Sequence, residues 1–345
     1  MSALPVSLTD TNPDSPTDDD SRAIASDGLL DRGLLAAAAA RVRGVLAETP
    51  LVRSERLGAW LKLESLQITG AYKVRGALNA LAAQVERGDH RPVFAASAGN
   101  HGLGVAWSAR RLGLQATIVV PDDAPQTKVA GCQALGARVL RAGDGFDSCV
   151  ALARALAQTG GGRFLHAFDD AEVIAGQSTV AAELLAARPD VVVVPIGGGG
   201  LIAGAGSVLR RAGIRVVGAQ VEGVDSLRRA LAREEGPAQP CAVTLADGLR
   251  VAAPGRLPLR IAAAFLDEIV VVGEDEVADA LASLALHERV VAEGAGAVAV
   301  AALDRVAGDR RVAVVSGGNI DARRLARILA GSRTGTLEGF PNPPA

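Results

Sequence analysis

Three lysines, Lys62, Lys73 and Lys128, stand among 36 basic residues. Arginine stays protonated and cannot act as an amine nucleophile, whereas a desolvated lysine can, so each lysine in an arginine-rich chain invites the question of why arginine would not serve. Lys73 answers it best. The turn Gln67-Ile68-Thr69-Gly70 leads into a helix beginning near Ala71, which places Lys73 in the first helical turn. That end of a helix is itself positive, a poor site for a structural cation and one that pushes an ammonium toward its neutral, nucleophilic form. The bland alternative is a surface lysine whose stem snorkels to water. Tyr72, the chain's one tyrosine, lies beside it and offers a flat face for stacking. Lys62 and Lys128 read as ordinary basic positions.

Three further segments share a plan of strand, small-residue turn and helix. In VVVVPIGGGGLIAGAG an apolar strand runs into Gly197, Gly198, Gly199 and Gly200, followed by Leu201 and a helix. Successive glycyl N–H groups turned to one point, with a helix N-terminus behind them, make an anion nest suited to a phosphate. Gly198-x-Gly200-x-x-Ala203 also satisfies a loosened dinucleotide fingerprint with Glu222 as ribose acceptor, so a nicotinamide oxidoreductase stands as a competing reading. In PVFAASAGNHGLG a strand ends at Ser97, Ala98-Gly99-Asn100 form the turn, and a helix starts at His101, a place for a carboxylate. Asn100 read structurally is an N-cap. In RRVAVVSGGNIDARRL a strand delivers Ser316 ahead of Gly317-Gly318-Asn319; the ordinary role of such a serine is a turn hydroxyl. In a parallel sheet Ser97, Gly197 and Ser316 all fall at carboxyl ends of strands, where α/β proteins bind ligands.

The elements that position these residues alternate. Strands are expected at 60–64, 93–97, 116–120, 138–140, 191–196, 215–221, 269–272 and 312–315. Helices are expected at 27–47, 72–88, 101–112, 126–136, 146–158, 171–187, 200–212, 274–290, 294–306 and 321–330. Such alternation predicts an α/β fold with parallel-rich sheets covered by helices on both faces. A single core stops growing near roughly 250–300 residues, so 345 residues imply two lobes. Residues 1–26, rich in Asp, Ser, Thr and Pro, read as a disordered leader, and 237–240, 254–258 and the tail from Gly335 as loop or terminus. A formal net charge of −2 and 3% aromatic residues argue against a nucleic-acid partner. Cys132, Cys149 and Cys241 are odd in number and form no CxxC pair, which fits a reducing compartment and no structural zinc. No apolar run approaches the ~20 residues that cross a bilayer, and the start lacks a signal-peptide pattern, so a cytoplasmic protein is expected.

Taken in order and spacing, the four segments resemble the pyridoxal-phosphate-dependent threonine/serine dehydratases of fold type II, the tryptophan-synthase-β-like enzymes. The resemblance runs from about Thr49 to Asp321 and includes DDAPQTKVAGCQALGA, FDDAEVIAGQST, TLADGLRV and VVAEGAGAVAV. It implies that Lys73 bonds the aldehyde of pyridoxal 5'-phosphate and then serves as the base at the substrate's α-carbon. Tyr72 takes the place of the aromatic along the pyridine ring, and Asn100 that of the side chain bonding the ring 3-oxygen. Gly197, Gly198, Gly199, Gly200 and the Leu201 amide match the phosphate loop, and Ser316 the hydroxyl facing the pyridine nitrogen. Ser97, Ala98, Gly99 and His101 match the turn that closes on the substrate carboxylate. A hydroxyl rather than a carboxylate at the pyridine nitrogen leaves the ring a weaker electron sink, which favours rapid loss of the β-hydroxyl. The implied reaction converts L-threonine or L-serine to a 2-oxo acid and ammonia.

Departures refine this. Racemases of the family carry a second base, typically serine, where this chain has Ala98, which favours elimination over racemisation. Cation-dependent relatives use acidic groups where Gln220 and Ser226 stand, so no metal is expected. Little chain follows Ala330, as in the short catabolic enzymes without a regulatory domain. The resemblance further implies a large cofactor-binding domain from 27–91 and 167–330, a small mobile domain at 92–166, a tail at 331–345 and a homo-oligomer, dimer or tetramer. A hydroxyaspartate or phenylserine dehydratase, an amino-acid racemase, and a non-catalytic amino-acid sensor on the same scaffold remain alternative readings.

Overall fold

The structure is a computed structural model that describes residues 22–97, 99–143, 145–234 and 243–331. Its strands are β1 (Leu51–Ser54), β2 (Ala59–Leu63), β3 (Val93–Ala96), β4 (Ala116–Val120), β5 (Arg138–Arg141), β6 (Arg163–Phe164), β7 (Val191–Pro195), β8 (Arg215–Val221), β9 (Ile269–Val272) and β10 (Arg311–Val315). They form two sheets. One has the order β1-β2-β10-β7-β8-β9, the other β5-β4-β3-β6. The four-stranded sheet is parallel throughout, and in the six-stranded sheet only β1 runs antiparallel, to β2.

The run of valines in β7 is buried end to end, as a strand covered on both faces must be. Its side chains alternate between two cores. Val191 and Val193 join Val217, Ala313 and the helices Glu274–Ser283 and Gly294–Ala301. Val192 and Val194 join Val216, Val312 and the helices Gly200–Leu209 and Arg256–Ala262. The four-stranded sheet repeats the device, with Ala95 and Ile118 on one face and Ala96 and Val119 on the other.

The observed strands match the expected ones to within a residue or two, but β1 and β6 lie outside the expectation, as do the helices Ser226–Leu231 and Arg256–Ala262. Arg256–Ala262 overturns part of the loop expected at 254–258. Pro258 sits in the first turn, where its missing N–H costs no helical bond, and the Asp169 carboxylate accepts from the Leu257 N–H at 2.9 Å. The expected 171–187 helix divides into Ala171–Gln177 and Thr179–Ala182, where the Ser178 and Thr179 hydroxyls turn back onto the carbonyls of Ala175 and Gly176. The helix expected at 27–47 is confined to Arg32–Val42, capped by Asp31. The disordered leader is corrected at its end, since Ala23 is buried and Ile24 bridges Leu30. The rest of that leader, the 237–240 loop and the tail from Gly335 lie outside the described residues. No helix among the described residues is long and apolar enough to cross a membrane.

Candidate active site

The carboxyl ends of β2 and β10 are stitched together by backbone. The Tyr72 N–H donates to the Ser316 carbonyl at 3.1 Å, the Gly318 N–H to the Gly70 carbonyl at 2.8 Å, and Ala71 bridges Gly317. This brings Lys73, first residue of the Lys73–Glu86 helix, beside Ser316, whose buried hydroxyl donates to the Ala295 carbonyl at 3.3 Å. The Lys73 amine lies 5.3 Å from the Tyr72 ring centre and donates to the Ala167 carbonyl at 3.0 Å. Burial lowers its pKa from 10.5 to about 8, against an opposing pull from the Glu293 carboxylate. The amine is therefore partly neutral at physiological pH, as a nucleophile requires. The Tyr72 hydroxyl is pushed up by burial and by Glu293, and stays protonated.

Two residues beyond Lys73, the helix is pinned from below. Arg75 is buried and donates from Nε to Glu64 at 2.7 Å and from Nη2 to Glu64 and Glu183 at 2.8 and 3.0 Å. Glu183 also takes an ion pair from Lys62, which donates to the Thr49 carbonyl at 2.7 Å as well. Lys62 is thus a buried partner in a balanced ionic cluster and not the ordinary basic position expected. The Asn79 and Gln177 amides add bonds to the Glu172 carbonyl and from the Gly76 N–H.

The glycine run follows β7, with Gly199 at φ +90° as the N-cap of Gly200–Leu209. The first bond inside that helix runs from the Ala203 N–H to the Gly199 carbonyl at 3.0 Å. The N–H groups of Gly200, Leu201 and Ile202 therefore have no acceptor within the helix. The glycines also answer to packing. A Cβ on Gly198 would meet the Phe168 ring at 2.4 Å, one on Gly199 Pro258 at 2.8 Å, and one on Gly197 the Leu249 backbone at 3.0 Å. Phe168 adjoins Ala167, the acceptor of the Lys73 amine, so this segment links the lysine to the glycine loop. It also meets the His166 ring edge-on at 4.5 Å.

From the other sheet, β3 is followed by Ser97, whose hydroxyl accepts from the Gly99 N–H at 3.1 Å; Ala98 lies outside the described residues. Asn100 opens the helix Asn100–Leu112 and reaches across to the first sheet. Its Nδ2 donates to the Glu293 carboxylate, and its Oδ1 accepts from Asn319 Nδ2 at 2.7 Å. His101, next along the helix, is buried. Its Nε2 meets the Leu165 carbonyl at 3.3 Å, and burial first, then Lys73, lower its pKa to about 3, keeping the ring neutral. Lys128 donates to Asp247 at 3.2 Å, joining the helix Gln126–Ala134 to the loop after Thr244.

Glu293 is the residue that sequence reasoning passed over. It sits in the quoted segment VVAEGAGAVAV, where it reads as a helix start. Burial, then the Asp247 charge, raise its carboxyl from 4.5 to about 7, while Asn100, Lys128 and Lys73 pull the other way. Gln220 spends its amide on the Ile196 and Val224 carbonyls and the Arg228 N–H. Glu222, the ribose acceptor of the nicotinamide reading, is exposed beside Gly273.

A family model described as pyridoxal-phosphate dependent enzyme matches residues 42–318. The L-threonine ammonia-lyase of Thermotoga maritima is 44% identical over 278 residues, covering 78% of this chain and 69% of that one. The catabolic L-threonine dehydratase of Escherichia coli K12 is 38% identical over 304 residues, 84% of this chain and 92% of that one. Among solved structures, the processed threonine deaminase isoform 2 of Solanum lycopersicum superposes with a TM-score of 0.80 at 31% identity, covering 87% and 88% of the two chains. A lysine with a depressed pKa, a glycine loop at a helix start and a serine at a third strand end, on a scaffold shared with these proteins, make the chain a member of the pyridoxal-phosphate-dependent enzymes of fold type II, in the threonine dehydratase family.

Proposed function

We propose that the protein is an ammonia-lyase acting on a β-hydroxy amino acid, converting L-threonine to 2-oxobutanoate, or L-serine to pyruvate, with release of ammonia. The observation that carries the reading is the Lys73 amine, its pKa lowered to about 8, on a helix whose entry is bonded to the Ser316 carbonyl and within the field of the Glu293 carboxylate that Asn100 bonds.

The residues present suit pyridoxal phosphate. The N–H groups of Gly200, Leu201 and Ile202, without acceptors in their own helix, and the helix end behind them suit a phosphate. Gly197 to Gly199, with Leu249, Phe168 and Pro258 packed where their Cβ atoms would lie, let the loop fold tightly beside it. Lys73 offers the amine, Tyr72 the flat face, Asn100 an amide N–H for the ring oxygen, and Ser316 a neutral hydroxyl for the ring nitrogen. When bound, the cofactor supplies an aldehyde for the substrate's amino group and a ring that accepts electrons from its α-carbon. Lys73 then takes the α-proton at Nζ. The Ser97–His101 turn holds the substrate carboxylate with backbone N–H groups at the start of the Asn100–Leu112 helix. His101, neutral and bonded to Leu165, supports the turn from behind. The segment of the four-stranded sheet, 92–166, is the part we assign to closing over the substrate and excluding water.

Ammonia release from L-threonine and L-serine tests the reading. With Lys73→Ala the rate is expected to fall on the order of 10²–10⁴-fold; a variant that keeps full activity overturns it.

A further inference from the structure

Glu293 occupies the N-cap of Gly294–Ala301 and makes no capping bond to its own helix. Its backbone N–H goes to the Gly317 carbonyl at 3.0 Å, and its buried carboxylate is aimed across the cleft at Asn100. A buried carboxylate is costly, so one that declines its nearest donors calls for a reason.

The reason lies in the two ends of the Asn100 amide. An asparagine amide can turn over, exchanging its donor and acceptor ends with little change of shape. Here both ends are spoken for. The ionised carboxylate of Glu293 can only accept, so it demands the Nδ2 end. Asn319 faces Asn100 with Nδ2, a donor that also holds the Thr69 carbonyl at 2.8 Å, so it demands the Oδ1 end. Turned over, the amide would set oxygen against carboxylate and nitrogen against nitrogen. One N–H of Asn100 is left over with its direction fixed.

We infer that Glu293, with Asn319, is a positioning residue that fixes the donor end of Asn100 toward the 3-oxygen of the cofactor ring. The inference rests on the reading of Asn100 given above. The charges around Glu293 bear on it from each neighbouring element. Lys73 on the Lys73–Glu86 helix and Lys128 on Gln126–Ala134 favour its ionised form, while Asp247 disfavours it. The Lys128–Asp247 pair offsets part of that opposition.

The test compares binding of pyridoxal phosphate and of its 3-deoxy analogue to the full-length protein stripped of cofactor, by equilibrium dialysis at pH 8. The wild-type chain is expected to prefer the natural cofactor by about tenfold, the scale of one hydrogen bond to a charged group. Glu293→Ala is expected to lose that preference, Glu293→Gln, whose oxygen can still accept from Nδ2, to keep most of it, and Asn100→Ala to lose it. Loss in Asn100→Ala with full preference in Glu293→Ala overturns the role of Glu293 alone. Full preference in Asn100→Ala removes the reading of Asn100 and the proposal with it. Should Glu293→Ala fail to fold, a preference abolished in Glu293→Gln also overturns the proposal, since that variant keeps an acceptor in place.

Discussion

Lys73 sits between two opposed influences, burial that expels its proton and the Glu293 carboxylate that retains it, with burial the larger. A base whose pKa is lowered on folding is more often neutral in the native chain than in the unfolded one. The rate at which the cofactor-free protein reacts with an aldehyde is therefore expected to rise with pH to a half-point near 8. A stopped-flow titration with pyridoxal phosphate measures it, and a half-point near the ordinary lysine value would contradict the burial argument. Lys73 was legible in the sequence because lysine is rare in this chain and a helix start is the wrong end for a cation. The same logic undervalued Lys62, whose partner Glu183 lies 121 residues away. It missed Glu293 because the partner, Asn100, is 193 residues distant and nothing local marks the pair. Long-range partners of buried charges leave little trace in spacing.

Among the elements, the helix carrying Lys73 is placed by close contact as much as by ion pairs. A Cβ on Gly176 would lie 2.5 Å from the Arg75 carbonyl oxygen and 2.6 Å from the Gly76 Cα, and one on Gly76 would lie 2.6 Å from the Val173 carbonyl oxygen. The helices Lys73–Glu86 and Ala171–Gln177 thus cross backbone to backbone. Gly176→Ala is expected to cost about 1–3 kcal/mol in urea unfolding, as overpacking does, and to lower cofactor affinity by shifting Lys73. An unchanged unfolding midpoint would show that the crossing can give. The strands expected from apolar runs appear where they were read, since both sheets bury continuous stretches such as Val191 to Pro195. What escaped had weaker local signals. β6 is only Arg163–Phe164, held by pairing to β3, and the Arg256–Ala262 helix begins in a proline-containing stretch whose first-turn Leu257 N–H finds its acceptor, Asp169, far along the chain.

Across the whole molecule, two sheets meet at the cleft through Asn100–Glu293 and Lys128–Asp247, while Arg75, Glu64, Glu183 and Lys62 form a cluster behind it. These two sets of charges differ in surroundings. Arg75→Met leaves Glu64 buried without its partner and is expected to cost on the order of 3–5 kcal/mol. Lys128→Met removes one half of a partly exposed pair and is expected to change stability by less than about 1 kcal/mol. Thermal unfolding of both variants checks the contrast; equal losses would contradict it. The α/β plan, with its parallel-rich sheets, was readable from the alternation of strands and helices. The contacts that close the cleft, made between side chains of the two sheets, were not.

Of the chain's three lysines, Lys73 is expected to be the one that bonds the cofactor. Loading the protein with pyridoxal phosphate, reducing with borohydride and mapping the peptides tests it directly. A coloured protein before reduction and a label confined to Lys73 are expected. A colourless protein that takes no label, or a label on Lys62 or Lys128 in its place, would contradict it.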